Sequence, residues 1–561
     1  MNRLIECVPN FSEGRDMSKI KAITDAIESV EHIKLLDVDP GKATNRTVVT
    51  FVGTPEDVIE AAFRGVKKAS EVIDMSKHKG EHPRFGATDV LPLIPISGIS
   101  MDEVVEFAHK LGERIGRELG IPIYCYEFAA KEEKRKNLAN CRAGEYEGLK
   151  EKVKKSEWKP DFGTAEFNTR SGAIALGARN FLVAYNVNLN TTSVRRANAI
   201  AFDVREAGRV MREANTISGK ILKDETGKTL RLPGLLKKVK AIGWYIEEYG
   251  VAQISMNLTD ISVTSVHEAF DAVEESARQR GIRVTGSELV GLIPLNALLS
   301  AGKHYLKKQK RSVGVPDEEI IKIAVKSLGL DELKPFNPKE RIIEFLLDAD
   351  ELKPLVNMNL QQFTDRTAEE FPAPGGGSIA AYMGTLGAAL GTMVANLSAH
   401  KRGWDDKWEI YSDWAEKGMS CVNKLLPLVD EDTKAFNQIM EAYRMPKSTD
   451  TEKELRKQAI QAATKHAIDV PFRIMEYAYE SMAVMKEMAI NGLQVSLSDA
   501  GVGALAARAA VLGAYMNVKI NMPDLEDKVY KAEISERGLK IEQAAIALEK
   551  EIYDIVHSKI S

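Results

Sequence analysis

Asp57-Val-Ile-Glu-Ala-Ala-Phe-Arg-Gly-Val-Lys-Lys-Ala-Ser-Glu-Val-Ile73 decides how the amino-terminal part of this chain folds. Val58, Ile59, Ala62, Phe63, Val66, Ala69, Val72 and Ile73 fall on one stripe at helical spacing, which predicts an amphipathic helix. On either side the period changes. Residues 46–52, rich in Thr and Val, and residues 90–96 read as strands. Upstream, strands at 4–8 and 33–38 enclose a helical stripe at 17–30; downstream, a helix at 101–119 leads to a strand at 121–128. The order β-α-β-β-α-β is the split-βαβ pattern of ferredoxin-like folds.

The same order recurs with strand 181–187, helix 192–205, paired strands 239–246 and 252–258, helix 266–280 and strand 283–289. The two runs share no clear residue-level similarity, so the repeat is one of architecture. Two such sheets side by side leave a cleft between them, a usual place for a small-molecule site. The polar insert 219–229 reads as a surface excursion. From about residue 316 strand signals vanish and helices dominate, with a charged joint at Asp348-Ala-Asp-Glu-Leu-Lys-Pro-Leu355. The expected chain is multidomain: two α/β (ferredoxin-like, βαββαβ) subdomains over 1–178 and 179–346, a linker at 347–354, and an all-α helical bundle over 355–561.

A chain of 561 residues is too long for one core. Its 28% charged residues balance to a net charge of -4, and no basic tail or basic-aromatic stripe is present, which argues against a nucleic-acid partner. Cys7, Cys125, Cys141 and Cys421 are scattered without a CxxC pair, so neither a disulfide framework nor a zinc knot is indicated. Glu6 stands where a secretory leader needs its apolar run, and a cytoplasmic address is expected. Residues 379–399 carry no charge and are long enough to span a membrane. They are dominated by Ala and Gly, however, and Gly387 and Gly391 lie one turn apart, where a second helix can approach closely. A buried helix of a soluble bundle is expected there, not membrane insertion.

Three stretches carry chemistry. Met75-Ser-Lys-His78-Lys-Gly80-Glu81-His82-Pro83-Arg84 packs two histidines, a carboxylate and an arginine into one turn. His78-Lys-Gly-Glu81-His82 matches the HxxEH zinc signature in letters. That motif needs one continuous helical turn, and Gly80 and Pro83 disfavour helix at His82, so no metal is expected. An acid-base role for His82 fits its intrinsic titration range; the alternative is a loop histidine that satisfies backbone carbonyls, a role better suited to His78. Gly375-Gly376-Gly377-Ser378 is not a P-loop, since no Gly-Lys-Ser/Thr follows. It presents free N–H groups to a ligand, or it serves tight packing. Asp430-Glu431-Asp432 either caps a helix or supplies a functional acid.

Glu6-Cys-Val-Pro9-Asn10-Phe-Ser12-Glu13-Gly14-Arg15, Leu36-Asp37-Val-Asp39 with Thr44-Asn45-Arg46-Thr47, the His82 block, Gly177-Ala-Arg179-Asn-Phe181 and Gly286-Ser-Glu288-Leu-Val-Gly291-Leu-Ile-Pro294 together resemble the glutamate formimidoyltransferases. The resemblance implies that tetrahydrofolate lies between paired α/β subdomains and that its N5 receives the formimidoyl group of N-formimidoyl-L-glutamate. It also implies a catalytic role for His82, an active-site carboxylate at Asp39, and folate contact by Gly163-Thr164-Ala165-Glu166-Phe167-Asn168-Thr169-Arg170-Ser171-Gly172. Glu288 departs from the pattern, standing where glutamine is expected; an amide donates and accepts, whereas an ionised carboxylate only accepts.

In the second half, Pro372-Ala-Pro-Gly-Gly-Gly-Ser378, the Asp430-x-Asp432-x-x-Ala-Phe436 run, Gly492 with Ser498-Asp499, and Gly513-Ala-Tyr-Met-Asn517-Val-Lys-Ile-Asn521 resemble the all-helical formimidoyltetrahydrofolate cyclodeaminases. This implies closure of folate N10 onto the formimidoyl carbon, with ammonia released and 5,10-methenyltetrahydrofolate formed. Asp432 is then the catalytic acid, with Asp430 as the alternative, and Gly375, Gly376, Gly377 and Ser378 meet the folate. Taken together the halves resemble a bifunctional family in the same order. That implies a polyglutamylated folate co-substrate passed between sites, and a homo-oligomer of dimers that can close into a ring. Two other readings stay open: the helical half as a folate-binding or oligomerisation module, and a glutamate formyltransferase side activity in the first half.

Overall fold

The computed structural model describes residues 3–42, 44–80, 84–215, 219–348, 353–371 and 373–560. They divide into two compact units, one drawn from residues 1–298 with 328–349, the other from 299–327 with 350–561.

In the first unit β1 (Leu4–Cys7), β2 (Asn10–Phe11), β3 (Lys34–Gly41), β4 (Arg46–Gly53), β5 (Thr88–Ser97), β6 (Ile123–Glu127) and β7 (Ile174–Ala178) form one sheet. β3, β4, β1 and β5 are neighbours in that order, each pair antiparallel. β7 then lies between β5 and β6, parallel to both, so the sheet is mixed. Periodicity does not show β7, because all five of its residues are buried and a strand covered on both faces loses its alternation.

The decisive stripe is helix α2 (Pro55–Val72). Thr54 caps it, with Pro55 at the first helical position. Val58, Ala62, Phe63, Val66 and Ala69 enter one core with residues of α1 (Met17–Glu28) and α3 (Met101–Leu119). A capping box of Ser100 and Glu103 starts α3, and Gly120 ends it with φ of 63°. The short helices α4 (Leu138–Arg142) and α5 (Glu145–Lys152) lie between β6 and β7.

The second sheet of this unit is β8 (Val183–Leu189), β11 (Val239–Ile246), β12 (Val251–Leu258) and β13 (Val284–Val290), in the order β11-β12-β8-β13 and wholly antiparallel. Helices α6 (Val194–Val204) and α7 (Val266–Arg278) complete it. The polar insert is the expected excursion, flanked by the paired short strands β9 (Arg209–Val210) and β10 (Arg231–Leu232).

Helical structure takes over earlier than residue 316. Helix α8 (Leu295–Lys308) places Leu298, Ala301 and Tyr305 at helical spacing and buries all three. It is followed by α9 (Asp317–Leu328), α10 (Pro338–Arg341) and α11 (Ile343–Asp348). Residues 299–327 belong to the helical unit: Val313 N–H donates to Ser412 Oγ at 3.0 Å, Asn396 Nδ2 donates to Gly314 O at 2.8 Å, and Lys303 pairs with Glu416.

The rest of that unit is α12 (Leu360–Ala368), α13 (Gly376–Ala399), α14 (Trp408–Leu425), α15 (Leu428–Arg444), α16 (Asp450–Asn491), α17 (Leu497–Asn521) and α18 (Lys528–Ile560), with no strand among its described residues. Segments Gly376–Ala399 and Gln494–Asp524 are long and apolar enough to cross a membrane. α13 nevertheless packs within the bundle, burying Ala380, Ala381, Ala388, Val394 and Ala395. A Cβ on Gly387 would lie 2.7 Å from Gly503 O of α17, so only glycine permits the approach. Inside α16, Pro471 has no N–H to offer the carbonyl of Ala467. Asn521 Nδ2 of α17 bonds that carbonyl at 3.0 Å instead.

Candidate active sites

Three quoted segments of the first half meet around Thr44-Asn45. Asn45 Oδ1 accepts the Gly14 N–H at 3.0 Å, and its Nδ2 donates to Lys79 O at 3.0 Å. Thr47 Oγ1 donates to Glu13 O, and Ser12 Oγ donates to Gly86 O at 2.7 Å. His78 Nε2 bonds Asn45 O at 2.9 Å, a backbone-satisfying role, and its burial lowers its pKa. A Cβ on Gly80 would lie 2.3 Å from Thr44 O, so this loop runs tight against the turn. Glu81, His82 and Pro83 lie outside the described residues; Gly80 and Arg84 bracket them, and Arg84 O accepts the Tyr146 N–H. Among the described residues no three His, Cys, Asp or Glu side chains cluster as metal ligands do.

The same β3–β4–β1 face floors a cavity of about 460 Å³ within the first unit. Asp37, Asp39, Arg46, Val48 and Thr50 line it from β3 and β4, Glu6 and Asn10 from β1 and β2, and Lys238, Lys240 and Asn257 from the second sheet. Burial raises the pKa of Asp37, and the neighbouring Asp39 raises it further. Burial also pushes the Glu6 carboxyl up to about 7, against the pull of Arg179. Arg179 in turn donates to Asn180 O at 3.0 Å. The cavity thus offers carboxylates for a cationic group, arginines and lysines for anions, and amide and hydroxyl edges for a heterocycle.

Of the residues expected here, Asp39 lines the cavity. Glu288 is not among its lining residues. It accepts from Tyr249 Oη at 3.0 Å, Gln253 Nε2 at 3.3 Å and Asn186 Nδ2 at 3.4 Å, with Lys334 at 3.6 Å. Nor does the Gly163–Gly172 run contribute lining. Gly163 packs on Gly116 and Ile121, Arg170 bonds the carbonyls of Ser70 and Glu71, and Ser171 and Gly172 hold Gly86 and Ala87 beside the His82 block. Arg142 and Tyr126 went unmarked in the sequence, since neither falls on a periodic stripe.

In the helical unit, residues 54 positions apart come together. Ser378 Oγ donates to Asp432 Oδ2 at 3.2 Å and lies 3.3 Å from Thr433 Oγ1. Burial raises the Asp432 pKa, against hydrogen bonds from the Ser378 hydroxyl and backbone N–H. Gly376 faces the carboxamide of Asn517, and a Cβ on Gly377 would lie 2.0 Å from Asp432 Oδ1. Gly377, Ser378 and Asp432 therefore form one cluster; Pro372, at the head of the motif, lies outside the described residues. Gly377→Ala is expected to displace the carboxyl, because the added methyl would overlap Asp432 Oδ1.

Asp430 does something else. It is buried and accepts the Leu355 and Val356 N–H groups at 2.9 and 3.2 Å. Asp430→Ala is expected to cost about 1–3 kcal/mol of stability, read as a lower unfolding midpoint of the helical unit.

Comparison with known proteins accords with this division. The sequence model of the formiminotransferase domain, N-terminal subdomain, matches residues 4–179, that of the formiminotransferase domain matches 184–348, and that of formiminotransferase-cyclodeaminase matches 359–539. A formimidoyltransferase-cyclodeaminase of Gallus gallus is 44% identical over 97% of both chains. The chain belongs to the formimidoyltransferase-cyclodeaminase family. Members and partial relatives separate along the same line. A glutamate formimidoyltransferase of Thermoplasma acidophilum is 42% identical and covers 54% of this chain and 92% of its own. A methenyltetrahydrofolate cyclohydrolase of Methylorubrum extorquens is 35% identical over 36% of this chain and 99% of its own. In this member of the family, the paired sheets precede the helical unit.

Proposed function

We propose that the chain is a bifunctional enzyme: it transfers the formimidoyl group of N-formimidoyl-L-glutamate to N5 of tetrahydrofolate, then closes N10 onto that carbon to give 5,10-methenyltetrahydrofolate and ammonia. One observation carries the reading. A chain matched over 97% of its length by a bifunctional relative holds two sites of different chemistry, a charged cavity and a buried acid.

In the first step the donor's amidinium rests near Asp39 and Asp37, whose negative charge favours it. Folate N5 attacks the amidine carbon, His82 takes the N5 proton, and His82 returns a proton to the glutamate nitrogen as the old C–N bond breaks. The run Gly163–Gly172 contributes folate contact through its exposed part, 163–166, while 171–172 pair with Gly86 and Ala87. Glu288 organises the amides of the second sheet. Lys238 and Lys240 suit the carboxylates of a polyglutamylated tail.

In the second step N10 attacks the same carbon and Asp432 protonates the departing nitrogen, which leaves as ammonia. Gly375–Ser378 offer N–H groups to the folate. Both sheets of the first unit are read as ferredoxin-like, supported by the antiparallel order β3-β4-β1-β5 within the first and β11-β12-β8-β13 in the second. The functional divisions read along the sequence are 1–178, 179–346 and 355–561, joined at 347–354, although residues 299–327 of the second division pack in the helical unit. Self-association is supported by exposed apolar positions on neighbouring helices, among them Leu386, Met393 and Leu397 of α13 and Val502, Leu505 and Met516 of α17.

Purified protein given tetrahydrofolate and N-formimidoyl-L-glutamate is expected to produce methenyl absorbance and ammonia in equal amounts. Transfer without ammonia would reduce the helical unit to a binding or assembly module, and absence of both products would refute the proposal.

A further inference from the structure

Two arginines that line the cavity share a single buried carboxylate. Arg142, the last residue of α4, places Nη2 2.9 Å from Asp89 Oδ2, and Arg46, the first residue of β4, places Nη2 3.3 Å from the same oxygen. Asp89 is fully buried and takes the Phe85 N–H on Oδ1 at 2.9 Å. It therefore acts as a fixed post that aims both guanidiniums. Each arginine side chain is only 15% exposed, and both line the cavity.

Their position relative to the acidic pair matters. In the β3–β4 ladder Arg46 lies across from Gly41, and Asp39 lies across from Val48, two residues along β4. Arg46 and Asp39 are thus neighbours on one sheet face, roughly 7 Å apart along the strand, and Arg142 is tied to Arg46 through Asp89. N-formimidoyl-L-glutamate has a matching polarity: an amidinium a few bonds from two carboxylates. Reversed in the cavity, it would set carboxylate against carboxylate at Asp37 and Asp39. A guanidinium fork fits a carboxylate in two parallel hydrogen bonds, which fixes direction as well as charge.

We propose that Arg46 and Arg142, aimed by Asp89, are the carboxylate seat for the glutamate moiety of the donor, and that they set its amidinium beside Asp39. This rests on the transferase reading and deepens it. The same chemistry could come from the tail of the folate, but Lys238 and Lys240 already offer a cationic wall on the second sheet.

Arg142→Lys tests the seat, because it keeps a counter-charge for Asp89 and removes the fork. Binding is measured by calorimetry for N-formimidoyl-L-glutamate, L-glutamate, tetrahydrofolate and tetrahydropteroate, which lacks the glutamate tail. Binding of the two amino-acid ligands is expected to weaken about tenfold or more, while both pterins bind as to the unaltered protein. The donor KM is expected to rise with kcat less affected, and Arg46→Lys is expected to behave alike. Unchanged amino-acid binding would overturn the seat, as would a loss confined to tetrahydrofolate and absent with tetrahydropteroate, which would assign the arginines to the folate tail. Thermal unfolding of each variant at the wild-type midpoint excludes a folding defect. If the unaltered protein binds glutamate in an Arg142-dependent way yet transfers no formimidoyl group, the seat stands and the transferase reading fails.

Discussion

Asp432→Asn is expected to halt ammonia release while formimidoyl transfer continues at the wild-type rate, so that 5-formimidoyltetrahydrofolate accumulates. The loss expected from removing a general acid is about 100- to 10,000-fold. Asparagine preserves the volume against Gly377 and still accepts from Ser378, so the change is confined to the proton. The pH dependence has a definite sign. Burial holds the Asp432 carboxyl protonated to higher pH than an ordinary carboxylate, so the cyclisation rate should fall as pH rises through its folded value. The same shift opposes folding once the group ionises. Stability is then highest at low pH and declines on the alkaline side, and Asp432→Asn should raise the unfolding midpoint near neutrality and lose that gain in acid. Normal methenyl production by the variant would remove Asp432 from the mechanism.

His82→Ala is expected to reduce transfer by a similar factor, about 100- to 10,000-fold, with tetrahydrofolate binding intact. Supplied directly with 5-formimidoyltetrahydrofolate, the variant should still release ammonia at the wild-type rate, because Asp432 and Ser378 lie in the other unit. The two single variants therefore fail at different steps, and mixing them should restore the overall reaction through free intermediate. Unchanged turnover in His82→Ala would dismiss the imidazole as proton carrier.

Most elements of the paired sheets were legible from local signals. The α2 stripe, the alternating strands and the capping residues Thr54 and Ser100 all act locally. β7 was not legible, since burial of every residue erases alternation, and its partners β5 and β6 come from distant sequence. The helical region begins before residue 316, because α8 follows directly on the motif ending at Pro294. In the second site, Ser378 and Asp432 were both marked in the sequence, though nothing local joins positions 54 apart. The different surroundings of Asp430 and Asp432 have no sequence signal. Two residues apart on a helix they point about 200° away from each other, one toward the Leu355 and Val356 amides and the other toward the glycine turn. Arg142 stayed invisible because its meaning comes from Asp89, far off in the chain.

The most direct measurement follows one atom. With the formimidoyl carbon of N-formimidoyl-L-glutamate labelled with carbon-13, and the intact protein saturated with tetrahydrofolate, nuclear magnetic resonance should show the label leave the glutamate resonance. It should pass through the N5-formimidoyl signal and settle as the N5–N10 bridge, with one ammonia formed per label. A carbon that stays on glutamate, or reaches formate without ever joining folate nitrogen, would contradict the account.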